Sequence, residues 1–133
     1  MRRKEKEIKN IDEILEILDK SQICRVGFND DEGIYIIPLN FGYEYVNSTL
    51  TLYFHGAKSG RKAEIIKTSP FAGFEIDIFE EILSHELACE YSCKASSIIG
   101  NGKAIELKET SEKSKALEII MKHQTGKNFE ITE

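Results

Sequence analysis

The segment spanning residues 35–45 constrains the fold of this chain more than any other. Tyr35, Ile37, Leu39, Phe41, Tyr43 and Tyr45 occupy one parity, whereas Pro38, Asn40 and Gly42 share the other. Successive side chains on a strand point to opposite faces, so one face of this segment is core. Alternation sustained over that length is a strand pattern and has no helical reading. On the second face, Pro38 cannot donate to a sheet ladder and Gly42 has no side chain. That combination predicts a bulge, an edge, or a place where something flat approaches the backbone.

The neighbouring segments supply partners for this strand. Residues 23–28 read as a strand, and Asn29-Asp30-Asp31-Glu32-Gly33 is the polar, glycine-ended turn that a hairpin needs. Val46-Asn47-Ser48 turns the chain again into residues 49–55, where Leu50, Leu52 and Phe54 alternate with Thr51, Tyr53 and His55. Asn10 can cap an amphipathic helix carrying Ile11, Ile14, Leu15 and Leu18 on one side. A short helix around Ala63, Ile65 and Ile66 is ended by Pro70, and strand pattern follows over residues 71–78. Residues 79–93 give a mixed signal, read as an irregular excursion with a strand near 83–90. Strand character resumes over 97–107, and Thr110 can cap a last helix that stops at Gly126. The order is not the regular βα alternation of a doubly wound sheet. It predicts a mainly β, α+β fold in which antiparallel strands close into a small barrel flanked by helices.

With 133 residues and 15.2 kDa, one core must carry the whole fold, so residues 1–133 are expected to form a single domain. Hydrophobic residues make up 41% and charged residues 31%, which argues against both disorder and a membrane-embedded chain. The formal charge of −5 has the wrong sign for a protein that grips nucleic acid, although a local cationic cluster can still bind a small anion. Cys24, Cys89 and Cys93 are an odd number without disulfide-framework density, which predicts a reducing, cytoplasmic setting. The start Met1-Arg2-Arg3-Lys4 is followed by a segment broken by Asp12, Glu13 and Glu16, so no signal peptide is expected, and no segment is long enough to span a bilayer.

One stretch concentrates candidate chemistry. His55-Gly56-Ala57-Lys58-Ser59-Gly60-Arg61-Lys62 joins a strand end, two glycines, three cations and a helix start. Free N–H groups at a helix start, with Arg and Lys nearby, form a receptor for a phosphate dianion. Lys58, Arg61 and Lys62 can equally be the solvated face of a short helix. Neither a P-loop nor a G-x-G-x-x-G fingerprint is present, so nucleotide hydrolysis loses support. His55 can donate or accept a proton near neutral pH, or simply close a turn. His123 sits near Ile119 and Ile120 and is expected to pack. His85, Cys89 and Cys93 recur every four residues, but no C-x-x-C pair accompanies them, so structural cysteines are preferred over a zinc site or a reactive thiolate.

Three runs in order carry a resemblance: Ile37-Pro38-Leu39-Asn40-Phe41-Gly42-Tyr43, then Leu52-Tyr53-Phe54-His55-Gly56-Ala57-Lys58 through Arg61-Lys62, then Ser97-Ile98-Ile99-Gly100-Asn101-Gly102-Lys103-Ala104. Together they resemble the pyridoxamine 5′-phosphate oxidase-like flavoproteins, and within them the nitroimidazole-resistance branch. The likeness covers nearly the whole chain. It implies a split β-barrel that forms a homodimer and holds FMN in a cleft between subunits. By that resemblance Lys58, Arg61 and Lys62 meet the FMN phosphate, while Pro38, Leu39, Asn40 and Phe41 run beside the isoalloxazine ring. Ser97 contacts the ring from another strand, and His55 lies near the flavin where a substrate stacks.

The resemblance therefore implies an FMN-dependent oxidoreductase that reduces a small, nitroaromatic-like substrate, with NAD(P)H as the candidate electron donor and His55 as a candidate proton source. Two other readings stay open: a flavin-binding protein that stores or senses the cofactor, and a haem-handling protein on the same barrel. Fold does not decide among them. Two positions depart from the family pattern. Ser96 stands where relatives often carry a basic residue, and the chain stops at Ile131-Thr132-Glu133 where relatives add a strand, leaving an edge for a partner subunit to cover.

Overall fold

The computed structural model describes residues 10–56, 61–84, 86–90 and 92–131. Helix α1 (Ile11–Lys20) leads into strands β1 (Ile23–Asp30), β2 (Gly33–Val46) and β3 (Thr49–Phe54). Helix α2 (Arg61–Thr68), strand β4 (Phe71–Leu83), a 3₁₀ turn (Ala88–Glu90), strand β5 (Ser92–Lys103) and helix α3 (Thr110–Thr125) complete the order. All neighbouring strands are antiparallel and form one five-stranded sheet in the order β3-β2-β1-β4-β5. The sheet curls into a half-barrel flanked by helices, so the α+β split-barrel expectation holds.

Local chemistry sets the element ends. The Asn10 side chain accepts from the Asp12 N–H at 2.8 Å and starts α1 as its sequence predicts. Ser21 ends that helix, its hydroxyl donating to the Ile17 carbonyl at 2.8 Å and to the Asp77 carbonyl of β4 at 3.2 Å. In the β2–β3 hairpin Val46 faces Thr49 across Asn47 and Ser48, whose φ values of 53° and 63° place both in the left-handed region. A two-residue hairpin turn requires that conformation, because it matches the twist of the strands. Gly126, at φ 75°, stops α3 and donates its N–H to the Lys122 carbonyl at 2.8 Å.

The inner face of the sheet is the core. Cys24, Val26 and Phe28 of β1, Phe41 of β2 and Ile76 of β4 are buried against Leu18 of α1 and Ile65 of α2. Tyr35, Ile37, Leu39 and Tyr43 pack on the same side, which confirms most of the parity expected for residues 35–45. Tyr45 is the exception and is exposed near the end of β2.

Three expectations need correction, the first being Thr110: it is the first residue of α3 rather than its cap, and Glu109 stands at the N-cap without a side-chain cap bond. The irregular excursion read over residues 79–93 shrinks to the stretch between Leu83 and Ser92, and the strand read at 83–90 is instead the end of β4, which runs on to Leu83 and pairs with β5 from Ser92. A register shift between Phe79 and Glu81 breaks the alternation, and that slip hides the strand from a period-two search. At the other end β5 stops at Lys103 rather than at 107, and the Ala104 N–H donates to the Pro70 carbonyl at 2.7 Å. What approaches Gly42 is also now defined: α3 crosses β2 there, backbone against backbone. Among the described residues no helix is long and apolar enough to cross a membrane.

Candidate functional site

The outer face of the sheet is unusually bare. Residues opposite one another in neighbouring strands share a face, so the register defines transverse rows. One row runs Ile36, Gly27, Gly73, Asn101; the next runs Pro38, Arg25, Glu75, Ile99; beyond them Asn40 pairs with Ile23, and Asp77 with Ser97, as a third row. Gly27 and Gly73 lie side by side, so β1 and β4 form a floor without side chains at that point. Around it Ile36 is 64% exposed, Phe71 74% and Ile99 80%. An open patch floored by glycine and bordered by exposed apolar side chains suits a planar ring better than a compact polar ligand.

Strand β2 changes partner within this region. Gly33 to Asn40 pair with β1, whereas Phe41 to Val46 pair with β3 on the opposite edge. Among the described residues no strand lies along the second edge of β2 at Ile36 to Leu39, so the sheet is split there. The β2–β3 pairing ends at Phe41 and Phe54, so Asn40 and His55 are the residues next in each strand direction. His55 and Gly56 are exposed just beyond β3.

Of the four predicted ring contacts on β2, only Pro38 and Asn40 turn their side chains to the outer face. Leu39 packs against the core and Phe41 is fully buried, so these two can offer only main-chain atoms. The Phe41 carbonyl already accepts from the Gln124 side chain at 2.9 Å. Asn40 donates to the Gln22 carbonyl at 3.3 Å and to Gln124 Oε1 at 3.2 Å, which fixes its amide at the split. Ser97 is exposed and stands opposite Asp77 in the third row. Lys58 lies outside the described residues. Arg61 and Lys62 open the first turn of α2, as the helix-start argument requires, with only their backbone described.

The charged cluster in the second and third rows is one that sequence reasoning missed. Arg25 Nη1 lies 3.1 Å from Glu75 Oε1 and 3.3 Å from Asp77 Oδ2. Burial, followed by the neighbouring Asp77 carboxylate, raises the Glu75 pKa, and Arg25 offsets part of that rise. The parity of Arg25 within residues 23–28 could have placed it opposite the core, but its partners are fifty residues away in sequence.

Other candidates fall away. Burial pushes the Cys24 thiol up to about 12, so it stays protonated as a structural cysteine. Cys89 is exposed and His85 lies outside the described residues. His123 packs on Phe41 with ring centroids 4.5 Å apart and bonds the Ser21 carbonyl through Nε2 at 2.6 Å. An open cleft lined by Asp19, Tyr43, Lys122, His123 and Phe129, among others, contains none of the predicted site residues.

Residues 10–133 match the pyridoxamine 5′-phosphate oxidase family. The chain belongs to that family. A candidate 5-nitroimidazole antibiotic resistance protein from Bacteroides thetaiotaomicron has a similar crystal structure, with TM-score 0.78 and 32% identity over 94% of this chain and 72% of the other. The flavocytochrome Anf3 from Azotobacter vinelandii superimposes with TM-score 0.70 at 15% identity, covering 91% of this chain and 58% of that protein. The FAD and haem binding protein from Mycobacterium smegmatis gives 0.74 at 14% identity, covering 95% and 61%. The last two likenesses establish a shared fold, and the chain spans less than two thirds of either protein. No curated protein matches the sequence.

Proposed function

We propose that this family member is an FMN-dependent oxidoreductase that reduces a small, planar, nitroaromatic-like substrate, with NAD(P)H as electron donor. The observation that carries the reading is the glycine-floored patch beside the split in β2, with Pro38, Asn40 and Ser97 on the same face. Bound FMN supplies hydride acceptance and donation at its ring.

The residues of the chain do the rest. Lys58, Arg61 and Lys62 hold the phosphate where α2 begins, through charge-assisted bonds. Pro38, Asn40 and the main chain of Leu39 and Phe41 border the ring on one side, and Ser97 on another. Because Pro38 has no N–H, it cannot close the ladder and leaves space for a flat group. His55, exposed at the end of β3, holds a proton for the reduced substrate. A second copy of the chain, in the cytoplasm, covers the apolar outer face in a homodimer and excludes water from the ring.

The test is the visible spectrum of the purified protein before and after reductant. Flavin absorbance that bleaches anaerobically with NAD(P)H and returns with a nitroaromatic supports the enzyme. Flavin colour that does not bleach makes the protein a binder or sensor of the cofactor, and a Soret band makes it a haem protein. Sedimentation of the coloured species at the mass of one chain would overturn the homodimer.

A further inference from the structure

We propose that Arg25 is a cofactor-tuning residue: its guanidinium faces the reduced, anionic edge of the flavin ring and sets how strongly the protein prefers reduced over oxidised FMN. The inference rests on the FMN reading above and names a residue that reading does not include. Arg25 sits in the middle of the outer face, with Pro38 opposite it on β2 and Glu75 opposite it on β4. Its guanidinium reaches on to Asp77, the residue directly opposite Ser97. Arg25 therefore lies between two residues that border the ring in the proposed site.

The donor arithmetic leaves capacity for a ligand. A guanidinium has five N–H donors in a planar fork. Both carboxylates are bonded to Nη1, so no hydrogen bond of Nε or Nη2 to another described residue accompanies them. The side chain is 49% exposed, beside the glycine floor and the exposed Ile36 and Ile99 of the same face. A planar acceptor laid over Gly27 and Gly73 would lie one row from this fork. Covering the patch lowers the local dielectric, which strengthens a charge interaction that water would otherwise screen.

The charge balance gives the effect its sign. The oxidised ring is neutral and the two-electron reduced ring is anionic, so a cation at its edge favours the reduced form. Glu75 and Asp77 oppose this, two carboxylates beside one cation, and burial followed by the neighbouring Asp77 carboxylate raises the pKa of Glu75. Removing the cation and removing a carboxylate must then shift the potential in opposite directions. A purely structural ion pair predicts no such opposition.

The experiment measures FMN affinity and two-electron reduction potential for the FMN-loaded wild type, Arg25→Gln, Arg25→Lys and Asp77→Asn. The expected result is oxidised-FMN affinity within about threefold of wild type in every variant. Arg25→Gln should lose about tenfold of the preference for reduced FMN, which is about 30 mV lower for a two-electron couple. Arg25→Lys should recover part of that loss, and Asp77→Asn should move the potential upward. Equal potentials in wild type and Arg25→Gln overturn the proposal, as does a folded Arg25→Gln that no longer takes up oxidised FMN. If Arg25→Gln does not fold, the sign of the Asp77→Asn shift decides. Failure of the wild type to bind FMN at all is a different result and defeats the functional reading instead.

Discussion

A Cβ placed on Gly42 would stand 2.7 Å from both the backbone nitrogen and the Cα of Ile120. Helix α3 and strand β2 therefore meet main chain to main chain, and neither can yield by changing a rotamer. Gly42→Ala is expected to cost about 3 kcal/mol by overpacking. At Gly100 the added methyl also comes within 2.7 Å of a neighbour, but that neighbour is the ring of Phe74, which can turn. Gly100→Ala should cost about 1 kcal/mol. Nothing lies within 4 Å of a Cβ on Gly102, so alanine there should be neutral or stabilise by about 0.5 kcal/mol through the unfolded chain. Urea denaturation of the three variants checks the ranking, and equal midpoints would show that α3 does not press on β2.

Much of this arrangement is legible in the sequence because it depends on local chemistry. Asn10 at one helix start and Gly126 at a helix end act within a few residues of themselves, and the alternation of residues 35–45 reports which face is core. What stays hidden depends on register. The bulge between Phe79 and Glu81 shifts parity inside β4, so an alternation count sees noise where the strand continues. The meeting of Arg25 with Glu75 and Asp77 depends on how β1 aligns with β4, and no spacing along the chain encodes it. The site shows the same division. Pro38 and Gly42 are odd residues for a strand and can be singled out by composition. That Phe41 turns inward while Asn40 is held by Gln22 and Gln124 emerges only once the sheet is curled and α3 is laid across it.

Alkaline titration should show Tyr43 and Tyr53 ionising late. Burial and a hydrogen bond to Asp19 push Tyr43 up to about 12, and burial with a bond to Glu44 does the same for Tyr53. A phenol whose pKa is higher folded than unfolded adds stability below its unfolded value of about 10, and that stability is lost as the pH rises through the folded value. The protein should therefore weaken between about pH 10 and 12. Tyr43→Phe should flatten this decline in denaturation midpoints. An unchanged slope would mean that Tyr43 titrates like a free phenol.

The raised pKa of Glu75 works at the acid end. Its folded carboxyl holds a proton more tightly than the unfolded one, so its contribution to stability is complete below the ordinary value of 4.5. That contribution disappears as the pH climbs through the elevated folded value. Glu75→Gln should therefore remove a loss of stability that wild type suffers as pH rises from the ordinary carboxylate range. Comparing the two proteins by thermal melting at successive pH values tests this, with parallel curves as the result that contradicts it.

The cationic corner is best tested by comparing two ligands that differ only in the phosphate. FMN carries it and riboflavin does not. Two charge-assisted hydrogen bonds of about 1.5 kcal/mol each would make FMN bind about 100-fold more tightly than riboflavin. Neutralising Lys58, Arg61 and Lys62 together should abolish that ratio and leave riboflavin affinity unchanged, since the ring contacts lie on β2 and β5. Fluorescence titration of both ligands into wild type and the triple variant measures it. His55→Ala supplies the converse case: both ligands should bind as in wild type, while turnover of a nitroaromatic falls by about 100-fold for want of a positioned proton. A triple variant that kept its preference for FMN would move the phosphate elsewhere on the chain. A His55 variant with full turnover would move the proton source.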